Sequence, residues 1–224
     1  MIQTSSQTGH APGRKRDSSR GDALCQAALE VLAEVGYDRL TIDAVAARAG
    51  AGKATCYRRW AGKAELVVDA IGRLKAQPAP PDTGTLRGDL VELTCHFHDG
   101  DDAFRTDVQA GLVSGLIRDA KLREVFTEQF VAPRKAVFRA VFDRAVERGE
   151  IPPVPNFELL SDVVPAMVFH QMILTGRAPD VAFVLTVIDQ IVLPLTGPSA
   201  ANRPQAQNSQ NALQSPTQTR TLSS

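Results

Sequence analysis

TIDAVAARAGAGKATCYRRWAGKAEL, residues 41–66, decides how the rest of this chain is read. Thr41 is a good helix N-cap, and Ile42, Val45, Ala46 and Ala49 recur at helical spacing to form a narrow buried face. Gly50-Ala51-Gly52 then breaks the periodicity, as a helix C-terminus followed by a tight turn does. The following segment, Lys53 to Trp60, carries Lys53, Thr55, Tyr57, Arg58 and Arg59 but few apolar residues. A helix so poor in core side chains works at its surface. Two short helices joined by a glycine-containing turn, the second basic and aromatic, are how a helix-turn-helix sets one helix in the DNA major groove. The motif is predicted over residues 41–60.

The order of residue types from about Arg20 through Ile71, and above all GKATCYRRWAGKAEL after TIDAVAARAGA, resembles the DNA-binding signature of the tetracycline-repressor (TetR) family of bacterial transcription regulators. Three positions depart from the family's usual pattern: Ala51 and Gly52 stand where valine and serine are common, and Cys56 where an aliphatic residue is common. Gly52 gives up a side-chain cap, at a cost of a few tenths of a kcal/mol relative to serine. Cys56 still packs as a small hydrophobe. The resemblance implies a DNA-binding transcriptional regulator, a repressor released from double-stranded operator DNA by a small effector. It also implies that Tyr57 and Lys63 touch phosphate. Lys53 and Thr55, at the start of the second helix, are expected at base edges. Thr41, Tyr57, Arg59 and Lys63 are expected at phosphates, and Arg58 completes the DNA-binding set. Trp60, at the end of the reading helix, is expected to pack inward against Leu24 and Val67.

Net charge is zero, so the molecule as a whole is no polycation. The basic groups nevertheless concentrate near the motif: residues 1–60 hold nine Lys and Arg against six Asp and Glu, where phosphate neutralisation would use them. Three widely spaced cysteines with no CxxC pair argue against a disulfide framework or a zinc site. Cys95, His96 and His98 lie close in sequence, but a coordinating set needs more ligands, so no metal and no cofactor is expected. The first residues have no apolar core of a signal peptide. The most apolar runs, 163–174 and 181–195, are interrupted by His170, Gln171, Asp189 and Gln190 and are shorter than the roughly 20 residues of a membrane span. A cytoplasmic protein without membrane association is expected.

Every periodic segment reads as helix and none as strand, so the fold is predicted to be all-α: an N-terminal three-helix helix-turn-helix domain followed by a C-terminal helical ligand-binding and dimerisation domain. Residues 1–17 read as a flexible arm bearing Arg14, Lys15 and Arg16, and 18–78 as the DNA-binding domain. The regulatory domain is placed at 79–197, after the breaker PAPPDTG, and 198–224 as a disordered tail. Within the second domain, Pro133 is expected to open a helix, Asn156 to cap one, and Pro165 to kink it.

The helices 156–175 and 180–195 are apolar on nearly all sides and should be buried on nearly all sides, most simply against a second copy in a homodimer through residues 156–195. Most of the aromatic residues fall in the second domain. There a small apolar effector is expected against Phe104, Leu112, Leu116, Phe126, Phe130, Phe138 and Phe169, with His170 as the one polar contact. A rival of another class is a helical small-molecule-binding protein or enzyme with a vestigial DNA-binding head. It would need a clustered nucleophile, base and oxyanion donors, and no such constellation is visible, so no enzymatic activity is expected.

Overall fold

Thr41 fulfils its predicted role: its hydroxyl accepts a hydrogen bond from the Ala44 amide at 3.1 Å and opens a helix at Ile42. In the computed structural model of the chain, which describes residues 13–74, 78–98 and 102–197, the elements are helical throughout and no strand occurs among the described residues. The head consists of α1 (Gly13–Arg39), α2 (Ile42–Arg48), α3 (Lys53–Tyr57) and α4 (Lys63–Leu74). The second half consists of α5 (Leu86–His98), α6 (Asp102–Arg118), α7 (Ala120–Phe126), α8 (Ala132–Glu147), α9 (Phe157–Thr175), α10 (Val181–Val187) and α11 (Leu193–Leu195). Helix α1 starts at Gly13, so the basic residues 14–16 assigned to a flexible arm belong to its first turns. At its far end Gly36, with φ 73°, takes a conformation that L-residues resist, and the helical path bends there. Residues 1–12 and the predicted tail from 198 onward lie outside the described residues.

One helix boundary differs from expectation. Residues 120–147 form a single helical run in which Thr127–Val131 makes a wider π-type turn, instead of two helices separated at Pro133. The same device recurs at Ile188–Val192, just before Pro194. Each proline lacks the N–H that would bond the carbonyl four residues back, and its ring crowds that carbonyl; a widened turn absorbs both defects without ending the helix. Pro165 needs no such turn, since α9 continues through it. Asn156 precedes α9 but makes no side-chain cap bond, whereas Asp180 caps α10 through the Phe183 amide at 2.8 Å.

The linker PAPPDTG separates α4 from α5 as predicted, and it is pinned. Asp89, fully buried on α5, accepts hydrogen bonds from the Thr83 amide (2.6 Å) and hydroxyl (2.7 Å). Glu150 accepts from the Leu86 amide at 2.8 Å, occupying a donor at the open start of α5. Arg144 donates to the Pro81 carbonyl.

Packing does not follow the linker. One core holds α1–α4 together with Val108 and Leu112 of α6 and Leu122 and Val125 of α7. A second core gathers α5, α8, α9 and the C-terminal helical run around Leu90, Val141, Phe142, Phe157 and Ile188. Although α6 and α7 follow the linker in sequence, they pack into the head. Two glycines of α6 allow this. A β-carbon on Gly111 would collide with the Leu32 carbonyl of α1, and one on Gly115 would fall against the Tyr37 ring at 2.5 Å. Gly115→Ala is expected to destabilise the protein by about 1–3 kcal/mol through overpacking. Gly72→Ala on α4, where nothing lies within 4 Å of the added carbon, should stabilise it by about 0.4–1 kcal/mol. Chemical denaturation of both variants checks the contrast.

Candidate nucleic-acid interface

Helix α2 ends in a Schellman turn. The Ala51 amide donates to the Ala46 carbonyl at 2.9 Å and the Gly50 amide to Ala47 at 3.2 Å, with Gly50 at φ 60°. The chain thus leaves α2 within four residues and α3 begins at Lys53, capped only by the Gly52 backbone. The regular part of α3 is shorter than the predicted 53–60. Beyond Tyr57, the amides of Arg58, Arg59 and Trp60 still bond back to Ala54 and Cys56, carrying the chain as turns to Trp60.

Cys56, fully buried, anchors α3 to the head core, and burial raises its thiol pKa. That leaves Lys53, Tyr57 and Arg58 exposed on the outer face, with Thr55 half-buried between them. The Lys53 ammonium sits 2.8 Å from Asp43 of α2 and 5.9 Å from the Tyr57 ring centroid, and the Asp43 hydrogen bond raises its pKa, so it stays charged at neutral pH. An exposed pair of this kind contributes little to stability and gives way readily to a stronger anion.

Two of the seven expected DNA-binding side chains make contacts within the head. Arg59 does not stand outward with Tyr57: its guanidinium packs over α1, where a β-carbon on Gly21 would lie 3.2 Å from its Nη1. The cause is geometric, because position 59 follows the end of α3 on the side facing α1. Lys63 is half-buried at the start of α4. Its amine donates to the Tyr37 carbonyl at 3.0 Å and lies 4.1 Å from the Tyr37 ring centroid. An ammonium has three hydrogens, so this contact leaves donors over. Tyr37 in turn donates to Asp119 at 3.1 Å, and Asp119 caps α7 through the Leu122 amide. The capping bond holds the Asp119 carboxyl below its ordinary pKa, while burial pushes the Tyr37 phenol well above its own. No sequence pattern signals this Lys63–Tyr37–Asp119 chain, whose members are far apart in sequence.

Trp60 packs as expected, 8% exposed and in one core with Leu24 and Val67. It also borders a cleft of about 350 Å³ between α4 and Gln129 of the first π-turn. None of the eight residues expected to line an effector site borders that cleft, and the eight do not converge. Leu112 belongs to the head core, with Phe104, Leu116, Phe126 and Phe130 packed against it. Phe138 packs against the second core. Phe169 and His170, the latter expected as a polar group inside an apolar site, are exposed on α9, which turns that face out of its own domain. His96 and His98, weighed as metal ligands, have side chains outside the described residues.

A short exposed basic helix, delivered by a capped helix and a Schellman turn, is the reading head of a helix-turn-helix transcription regulator. Residues 24–70 match the family described as bacterial regulatory proteins, tetR family, and residues 80–191 match the tetracyclin repressor-like C-terminal domain. The chain is 41% identical over 181 residues to an HTH-type transcriptional regulator of Mycobacterium tuberculosis, covering 79% of this chain and 88% of that one. It is 35% identical to the DNA-binding transcriptional repressor TetR of Mycobacteroides abscessus, covering 83% and 98%. Among solved structures, the TetR family transcription regulator SCO0332 superposes with a TM-score of 0.57 at 27% identity, over 77% of this chain and 96% of that one. The chain belongs to the TetR family and is a DNA-binding transcriptional regulator.

Lys63→Met, which keeps the stem but removes the donor to Tyr37, is expected to cost about 1–2 kcal/mol of folding stability. Thr41→Ala is expected to cost about 1 kcal/mol through the lost cap. Thermal or urea unfolding without DNA checks both, and a role for Lys63 confined to DNA would leave the free protein's stability unchanged.

Proposed function

We propose that the chain is a cytoplasmic, homodimeric repressor whose α3 reads operator DNA through Lys53 and Thr55, with Thr41, Tyr57, Arg58 and Lys63 on phosphates. A small apolar effector releases it. The observation that carries the effector reading is the shared core: α6 and α7 pack into the head, and the Lys63–Tyr37–Asp119 chain joins the start of α4 to the start of α7. A ligand that displaces α6 or α7 therefore displaces α4 and the reading helix, and it weakens DNA binding by as much as it prefers the displaced state. The effector's most favourable seat is beside Phe104, Leu112, Leu116, Phe126 and Phe130. There the Phe126 and Phe130 rings stack at 4.7 Å and the Arg134 guanidinium lies 3.5 Å from the Phe130 ring centroid. A π-type turn passes through this stack, and such turns often mark functional sites.

The dimer reading rests on α9. Leu159, Phe169, Ile173 and Leu174 are 70, 40, 59 and 69% exposed on one chain, an apolar surface of the kind that marks an interaction site. By length and composition α9, at 19 residues, would pass for a membrane span. Its polar flank argues for a protein partner instead: Asp162 and Glu158 are paired with Lys135 at 2.9 and 3.1 Å. Val187 is buried in its own domain, so it belongs to the fold and not to the dimer surface.

Footprinting on DNA flanking the gene is expected to show a palindromic protected site that is lost with one of a panel of apolar compounds. Lys53→Ala should change preference at one or two base pairs, and Arg58→Ala should weaken all sequences alike and lower the salt slope by about one. Normal operator binding by the triple variant lacking Lys53, Tyr57 and Arg58 would refute the head assignment. A compound that stabilises the fold yet leaves operator affinity unchanged would refute release.

A two-fold interface uses each residue twice. Ile173→Glu is therefore expected to shift sedimentation from dimer to monomer and to reduce affinity for a palindrome, with little change in monomer stability. A monomeric wild type would refute the interface.

A further inference from the structure

The regular part of helix α3 is only five residues long, too short to hold its own direction. Its leading end offers little restraint: Gly52 supplies no side-chain cap, and Lys53 is held to Asp43 by an exposed pair. Cys56 seats the middle of α3 on the head core, and one anchored residue leaves the tilt of so short a helix to be set at its trailing end. There the Trp60 ring enters the head core and its Nε1–H donates to Oδ2 of Asp69 at 3.0 Å. Asp69 lies on α4 and is itself held. Nε of Arg73 donates to Oδ1 at 3.2 Å and Nη2 to Oδ2 at 3.1 Å, while the third guanidinium nitrogen of Arg73 reaches Asp22 on α1. The Cys25 thiol of α1 lies 3.8 Å from the same Oδ2; burial pushes its pKa up to about 12, so it stays protonated and able to donate. One carboxylate thus joins the end of α3 to both α4 and α1.

We propose that Asp69 is a positioning residue for DNA recognition: through the Trp60 indole N–H it fixes the angle at which α3 meets the major groove. It touches no DNA. Its effect falls on discrimination between sequences, because base-edge contacts need α3 in register, whereas phosphate attraction depends mainly on charge and tolerates a tilt. This rests on the DNA-reading role of α3.

The test uses the full-length protein and the duplex that the wild type selects from a random pool, with an unrelated duplex as the non-specific probe. Asp69→Ala is expected to lose about ten- to a hundredfold in affinity for the selected duplex, the worth of one or two base contacts, with non-specific affinity and salt slope unchanged. Trp60→Phe keeps an aromatic ring in the core but lacks the donor and should lose a similar factor. The double variant should lose no more than either single one, since both break the same bond. Asp69→Asn keeps an acceptor for the indole and should retain affinity within about threefold, because it spares that bond and gives up only the exposed Arg73 contacts, whose Nε–H then turns to solvent. Trp60 is the chain's one tryptophan, so its emission without DNA should shift in Asp69→Ala and stay near wild type in Asp69→Asn.

An unchanged specific-to-non-specific ratio in Asp69→Ala, or losses that multiply in the double variant, would overturn the proposal. So would Asp69→Asn behaving like Asp69→Ala, which would assign the effect to the Arg73 pair. If Asp69→Ala does not fold, Trp60→Phe and Asp69→Asn carry the same comparison. A wild type that selects no sequence would instead overturn the DNA-reading role itself.

Discussion

The close approach of α1 and α6 is the contact on which the rest of the molecule depends. Gly111 lets the α6 backbone come within reach of the Leu32 carbonyl, and Gly115 leaves room for the Tyr37 ring. Glycine inside a helix costs roughly 0.5–1 kcal/mol relative to alanine, and here that cost yields a backbone-to-backbone seam no larger residue permits. With α6 seated there, Leu112 and Val108 complete the head core and Tyr37 reaches Asp119. A four-helix head of some sixty residues would bury only about 60% of the surface its unfolded chain exposes. Sharing α6 and α7 enlarges that core, and it also makes the head sensitive to anything that moves them.

Around this seam the head is assembled by local end chemistry. Thr41 starts α2, the Schellman turn at Gly50 ends it, and the chain emerges aimed to begin α3. These elements are nearly independent of the remainder of the fold, because each hydrogen bond closes within six residues. The orientation of α3 is another matter. It is held by contacts to residues far along the chain, Asp69 through the Trp60 indole and Gly21 beneath Arg59.

The second half is organised by a different constraint. Its linker is fixed by charged groups of α8 and the residues just after it, Arg144, Arg148 and Glu150, which serve the Pro81 carbonyl, Asp89 and the open amide of α5. Its last long helix is only partly used, since the polar flank of α9 pairs with α8 while its apolar face stays exposed on a single chain.

What the sequence by itself determined is whatever short-range rules govern. The all-α class, the helix-turn-helix over 41–60, the inward Trp60 and the break at Pro78–Gly84 follow from 3.6-residue periodicity, capping residues and helix breakers, all of which act within a few positions. The exposed set Lys53, Tyr57 and Arg58 was legible for the same reason. Only the tertiary structure decided that Arg59 lies over α1, that Lys63 sits on Tyr37, that Phe169 and His170 face out of their own domain and that Val187 faces in. A residue's helical phase gives its face, but which neighbour covers that face depends on contacts between segments far apart in sequence. The π-type turns before Pro133 and Pro194 show the same division: the missing N–H is written in the chain, but whether the helix breaks or widens there is decided by the packing on either side.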